Sequence, residues 1–245
     1  MRPLLFSISL LLVMSCVKKD DPLRDDGANG KALGASARDL LSSSKFKALV
    51  VEIDYMTGMR PTDATISNLQ GFVASVVNKP SGVRIVLNEI PAQGKSAYAL
   101  KDINAIETLN RSSFNTGDTI ATYILVTDGA YNEPNVLGLA YRNTSMCIFG
   151  KTINENTGGL FRPSKDKLES TVAEHEFGHI LGLVNVGTPM QKDHQDTQHG
   201  GHCTNSSCLM YYQVETTDVV ANLMTANIPT LDIDCRADLT ANGGK

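Results

Sequence analysis

The sequence predicts an α+β domain with an α/β-type upper half, built on a twisted mixed sheet above an irregular C-terminal part. Three observations predict it. Strand-like apolar runs alternate with helix-period segments between residues 46 and 126. One long helical segment, from 164 to about 183, is apolar nearly all round and so belongs in an interior. From 183 onward the chain reads as irregular, with only short helical stretches.

The elements follow in order. Phe46 to Tyr55 reads as a buried strand. Pro61-Thr62-Asp63 opens a helix with Ile66, Leu69, Phe72, Val73 and Val76 at helical spacing, and Pro80-Ser81-Gly82 closes that segment. Val83 to Leu87 is a second strand, 102–109 a short helix, and Thr119 to Val126 a third strand ending at Thr127-Asp128-Gly129. Val136 to Tyr141 and Met146 to Ile153 are two further strands. Ser164 is the expected N-cap of the long helix, with Asp166 in its first turn. Two short helices are expected near the end, over Thr217 to Ala226 and Leu231 to Leu239.

Of the 245 residues, 42% are hydrophobic and 20% charged, and the net charge is −4; this is a globular composition with no basic excess, so nucleic acid is not an expected partner. The first residues look like a targeting segment. Arg2 precedes the apolar run from Leu4 to Val13, which is too short for a permanent membrane span. Val13-Met14-Ser15-Cys16 resembles a bacterial lipobox, so Cys16 is expected to carry a lipid after cleavage. The domain plan is therefore a signal peptide over 1–16, a flexible polar tether over 17–44 and a catalytic domain over 45–245. The protein is expected to be exported and held by its lipid at the periplasmic or cell-surface side of a membrane, as a monomer. Four cysteines then remain: Cys147, Cys203, Cys208 and Cys235. An oxidising compartment favours disulfides. Three pairings are open, and Cys203–Cys208 with Cys147–Cys235 is favoured.

The chemistry concentrates in the long helix. His175 and His179 lie one helical turn apart on the same face, with Glu176 beside the first. Two neutral imidazoles in that arrangement hold zinc, and a neighbouring carboxylate serves as general base toward a water that the metal acidifies. The flanking Val172, Ala173, Phe177, Ile180, Leu181 and Leu183 argue against a surface helix with two unrelated histidines. Buried His and Glu need partners, and a metal supplies them. Three further histidines, His194, His199 and His202, follow closely, so all five of the chain lie between 175 and 202.

His175-Glu176-Phe177-Gly178-His179-Ile180-Leu181-Gly182 resembles the start of the metzincin motif HExxHxxGxxH. The resemblance implies a zincin fold with an active-site helix, a tight turn at Gly182, and a Met-turn beneath the zinc, for which Cys208-Leu209-Met210-Tyr211-Tyr212 supplies Met210. It implies a zinc endopeptidase acting on protein or peptide substrates, with Glu176 as general base. Where the third His of the motif would stand the chain has Asn185, a poor ligand. His202-Cys203-Thr204-Asn205-Ser206-Ser207-Cys208-Leu209-Met210 is similar to the HCxxxxCxM stretch of archaemetzincins, which implies His202 as third ligand, with His194 the alternative and His199 or Asn185 behind it. Residues 185–201 then form an insertion. The unused histidines are loop residues, or hold a second ion with Asp193 or Asp196. Archaemetzincins carry a later CxxC that completes a second zinc site; here only Cys235 is present, with Asp238 in the last position, so one catalytic zinc and disulfides are expected. The resemblance also implies that Tyr212 stabilises an oxyanion, and that substrate adds along a sheet edge at 136–141 or 146–153. The alternative function is a non-catalytic surface lipoprotein that binds a partner on this scaffold. A third reading is an enzyme that cleaves only its own tether.

Overall fold

The computed structural model describes residues 24–224 and 227–245. The expected signal peptide and lipidated Cys16 lie outside them. In chain order the strands and helices are β1 (Arg24–Asp25), α1 (Ala37–Leu41), β2 (Ala48–Met56), α2 (Asp63–Val76), β3 (Val83–Ile90), β4 (Ala97–Tyr98) and α3 (Leu100–Asn110). There follow β5 (Asn115–Thr116), β6 (Thr119–Val126), β7 (Ala130–Tyr131), β8 (Gly138–Arg142), β9 (Ser145–Ile148), α4 (Gly150–Glu155), α5 (Lys165–Ile180), α6 (Val219–Leu223) and α7 (Ile233–Ala241).

The main sheet runs β3–β2–β6–β9–β8, with the small β5–β1 ribbon attached to β6. β3, β2, β6 and β9 are parallel, in registers such as Ile53↔Leu87, Ile53↔Ile124 and Ile124↔Met146. β8 is antiparallel to β9 and forms the far edge. The sheet is thus mixed, as expected from the sequence. The central β6 is buried on both faces, which explains its unbroken apolar run. Ile120, Ile124 and Val126 join the larger core with α2 and α5, while Tyr123 and Leu125 join a second core with Tyr98, Ile103 and Ile106.

Helix α2 starts where Thr62, in extended conformation, accepts a hydrogen bond from the Thr65 backbone N–H. Glu169 of α5 ties the two helices together, accepting from Thr62 N at 3.1 Å and Thr65 Oγ1 at 2.9 Å.

Two expectations change. The tether was expected to run to residue 44, but Ala37, Leu40 and Leu41 are buried in α1. The apolar side chains of that short helix have a core to fill. Asn143 donates to Ala28 O at 2.6 Å and Ser36 Oγ at 2.7 Å, and Lys79 Nζ donates to the carbonyls of Asp39, Ser42 and Phe46. Gly34, at φ +76°, lies so close to Val186 that any Cβ there would collide with its carbonyl. The packed domain therefore includes residues from 28 onward. The second change is at 146–153, where β9 stops at Ile148 and α4 begins at Gly150. A Cβ on Gly150 would meet Thr127 O at 2.8 Å, so the chain turns there against the end of β6.

Candidate metal centre

Helix α5 carries the motif through the interior, and every residue from Leu168 to Ile180 is buried. Ser164 holds the N-cap position without a side-chain capping bond, so the helix start rests on its packing against α2. At the other end Gly182 adopts φ +76°, and Leu183 N donates to Gly178 O at 3.1 Å. A Cβ on Gly182 would sit 2.7 Å from Thr188 N, so the turn expected there needs glycine both for its conformation and for space. Val184 and Asn185 continue in the left-handed region at φ 52° and 64°. This reversal leaves Asn185 exposed, with its Nδ2 on Gln195 Oε1 at 3.5 Å, away from the histidine pair.

His175 and His179 present their Nε2 atoms to each other at 3.1 Å. His202 comes up beside them, its ring 5.3 Å from that of His175 and 4.9 Å from that of His179. His175 Nδ1 lies 2.7 Å from Leu209 O, and His202 Nδ1 3.2 Å from His199 O. A carbonyl only accepts, so both Nδ1 atoms carry a proton and both Nε2 atoms turn inward. His202 Nε2 is buried and has no hydrogen-bond partner. Burial, with His202 as neighbour, lowers the His175 pKa to about 4, and burial pushes His179 down as well. Three imidazole Nε2 atoms therefore converge on one region, those of His175 and His179 on neutral rings. Tetrahedral zinc with bonds of about 2.0–2.1 Å needs donors about 3.3 Å apart, so the residues present fit that ion.

Glu176 Oε2 accepts from Ala140 N of β8 at 2.7 Å, and its buried Oε1 has no partner. Burial, with Glu215 nearby, raises its pKa well above the usual carboxylate range. Two glycines allow this packing. A Cβ on Gly138 would lie 2.7 Å from Glu176 Cγ, and one on Gly178 would lie 2.3 Å from Met210 Sδ. Met210 is fully buried, with its sulfur against Gly178 of the helix.

The remaining expected site residues fall elsewhere. Tyr212 stacks flat on His199, ring centroids 3.7 Å apart, and accepts from Gln213 Nε2 at 3.3 Å. His199 Nδ1 pairs with Asp196 Oδ2 at 2.8 Å. His194, the alternative third ligand, points away from the histidine centre. Its Nε2 lies 2.8 Å from Asp238 Oδ2 and its Nδ1 3.4 Å from Cys203 Sγ.

The disulfides expected from the sequence do not form: Cys147, Cys203, Cys208 and Cys235 are all free. Strand alternation in β9 turns Met146 and Ile148 toward the main core and Cys147 into the second one, on the opposite face of the sheet from Cys235. Cys208 and Cys235 have their sulfurs 3.6 Å apart, far beyond the bond length of about 2.05 Å. Cys203, Cys208, Cys235 and Asp232 instead cluster with their ligand atoms within 4.8 Å of one another. The contact with Cys235 draws the Cys208 thiol down to about 7. Backbone N–H groups of Met210 and Asp232 each point at Cys208 Sγ from 3.4 Å.

The sequence reading missed Glu215. Its Oε2 lies 3.4 Å from His202 Nε2 and 4.0 Å from the Nε2 of both His175 and His179. The one signal for it was an acidic residue shortly after the Met-turn.

No protein-family model and no curated protein sequence matches the chain. A solved structure does: archaemetzincin from Methanopyrus kandleri, with TM-score 0.54 and 13% sequence identity over 80% of this chain and 96% of that one. The fold is archaemetzincin-like. At that identity the likeness speaks to the fold alone. The mixed sheet, the long α5 and the irregular segment after Gly182 are the parts of this archaemetzincin-like fold that position the histidines.

Proposed function

We propose that this chain is a zinc-dependent endopeptidase. The observation that carries the reading is the convergence of three imidazole nitrogens beside a buried carboxylate with one oxygen free. Bound zinc would acidify a water toward a pKa of about 7 and polarise an amide carbonyl. The chain's own residues supply the rest. His175, His179 and His202 would hold the ion, with Leu209 O and His199 O fixing the tautomers of two of them. Ala140 N pins one oxygen of Glu176, leaving Oε1 to take a proton from water and return it to the leaving amine. β8, at the sheet edge, is the strand along which an extended peptide would add. Tyr212 would serve as an oxyanion donor after its ring leaves His199.

The thiol cluster fits a second, structural ion. Cys203, Cys208 and Cys235 give three sulfur donors. His194 Nδ1 is the better fourth donor, because Asp232 already caps α7 through Oδ1 and accepts from Asn205 through Oδ2. Asp238 on Nε2 leaves the Nδ1 lone pair facing the sulfurs. Anchoring through a lipid on Cys16 completes the proposal.

The test uses the full chain. It should bind zinc stoichiometrically and cleave casein or a broad peptide library. Chelator should abolish turnover, and Glu176→Gln should lower it by about 10²–10⁴-fold with metal retained. Absence of metal at the histidine centre, or undiminished turnover by the Gln variant, would refute the reading.

A further inference from the structure

Glu215 belongs to the short 3₁₀ turn Tyr212–Glu215 after the Met-turn. Its backbone is fixed from the other side of the cleft. Leu137 N donates to Glu215 O at 2.8 Å, Thr217 N donates to Asn135 O at 2.9 Å, and Val136 and Thr216 form an isolated antiparallel bridge. The segment that leads into the edge strand β8 thus holds Glu215 opposite the histidine helix. Its side chain remains about one-third exposed, so it stands on the solvent side of the centre.

Its carboxylate faces all three imidazoles of the centre. Oε2 faces three Nε2 atoms at 3.4, 4.0 and 4.0 Å. The Nδ1 atoms of His175 and His202 each face a backbone carbonyl, so their Nε2 atoms are the ones turned toward the carboxylate. His202 is buried, and its Nε2 has no hydrogen-bond partner. The four donor atoms lie within 4.8 Å of one another, and the 3.4 Å edge matches the donor spacing of about 3.3 Å around tetrahedral zinc. The two 4.0 Å edges are longer, and a small movement of one flexible side chain closes them.

We propose that Glu215 is a fourth protein ligand of the histidine centre in its resting form, and that it withdraws when a peptide carbonyl or another oxygen donor enters. The inference rests on the zinc reading of that centre. Catalytic zinc sites ordinarily keep one position open, whereas four protein ligands close a site. Glu215 therefore keeps the resting centre shut against water and small ligands, and substrate binding must dislodge it. Its attachment to residues 135–137 gives substrate a means of doing so, because a peptide settling on β8 pushes on the same segment.

The experiment compares the full-length wild type with Glu215→Ala and Glu215→Gln, each loaded with Co²⁺ and titrated with acetohydroxamate, a bidentate oxygen ligand. The visible Co²⁺ band is the readout. His179→Ala serves as the control that ties that band to the histidine centre. Acetohydroxamate should bind the Ala variant at least tenfold more tightly than wild type, because nothing has to be displaced. Chelator competition should remove the ion from the Ala variant at a chelator concentration at least tenfold lower. The Gln variant keeps the side-chain shape and guards against misfolding; it should follow the Ala variant in both measurements. Equal acetohydroxamate and chelator responses in all three proteins, each holding the ion, would overturn the fourth ligand while leaving the zinc reading intact. Failure of wild type to hold any ion sensitive to His179→Ala would overturn both.

Discussion

Gly138→Ala separates positioning of the general base from metal binding. Gly138 opens β8, the strand whose Ala140 N–H holds Glu176. An alanine Cβ at 138 would stand 2.7 Å from Glu176 Cγ, 2.7 Å from Val172 Cγ1 and 2.8 Å from Glu176 Oε1. Carbon atoms pack at about 3.5–4.0 Å, so the edge strand and the helix must separate by roughly 1 Å. Overpacking of this kind costs about 1–3 kcal/mol. The displacement also stretches the 2.7 Å bond from Ala140 N, and a typical hydrogen bond contributes about 0.5–1.5 kcal/mol. The three imidazoles sit on α5 and on the loop ending at His202, and none touches Gly138 in this way. The expected result is a melting temperature lower by several degrees, zinc content unchanged, and kcat reduced by at least tenfold with little change in KM. Differential scanning fluorimetry, metal analysis and peptide turnover read the three quantities. Wild-type kcat in a variant confirmed to be folded and metal-loaded would refute the claim that Ala140 and the β8–α5 spacing position Glu176.

Other perturbations address separate parts of the molecule. Burial in β2, with the charge of Glu52 beside it, outweighs the hydrogen bond from Asn88 and raises the Asp54 pKa from 3.8 to about 6. A raised carboxyl pKa contributes stability that is complete below pH 3.8 and lost as pH rises through about 6. Asp54→Asn should therefore melt close to wild type at pH 4.5 and higher at pH 8, by the equivalent of about 2 kcal/mol; an unchanged difference between the two pH values in thermal melts would count against it. Cys235→Ser should lower bound zinc from two ions to one per chain, read by mass spectrometry under native conditions, and retention of both ions would exclude the thiol cluster as a metal site. Cys16→Ser should abolish incorporation of labelled fatty acid in a bacterial host; continued labelling would place the lipid elsewhere or remove the anchor from the proposal.

The periodicity of the sequence disclosed the central strands and the two long helices because their side chains report burial directly. β6 is mostly apolar as a doubly covered strand must be, and α5 carries apolar residues on several faces because it crosses the interior, although Glu169, Glu174 and Glu176 are buried with them. The helical spacing of His175 and His179 placed two imidazoles on one face without further information. Other features depended on contacts between distant residues. Residues 28–44 look like a solvated tether in composition, yet a few anchors such as Leu40, Leu41 and the Asn143 amide dock them. Cysteine count favoured disulfides, but counting does not reveal that Cys147 faces the far side of the sheet. Glu215 was hidden because its approach to His202 depends on the pairing of residues 135–137 with 215–217, which no local pattern specifies.

The two donor clusters are also covalent neighbours, and this bears on how the histidine centre acquires its shape. His202 precedes Cys203, and Cys208 lies one residue before Leu209, whose carbonyl fixes the His175 tautomer. Cys203 N donates to Met210 O at 2.8 Å, and Leu209 N to Thr230 O at 3.0 Å. The peptide from 202 to 210 therefore has its two ends in the histidine centre and its two sulfurs in the thiol cluster. Within that stretch residues 204–207 are exposed, while Cys203, Cys208, Leu209 and Met210 are buried in the core. Gathering Cys203 and Cys208 with Cys235 of α7 restrains that loop against the C-terminal helix. The same restraint presents His202 Nε2 and Leu209 O to α5, so the order of the histidine centre depends on the integrity of the thiol cluster.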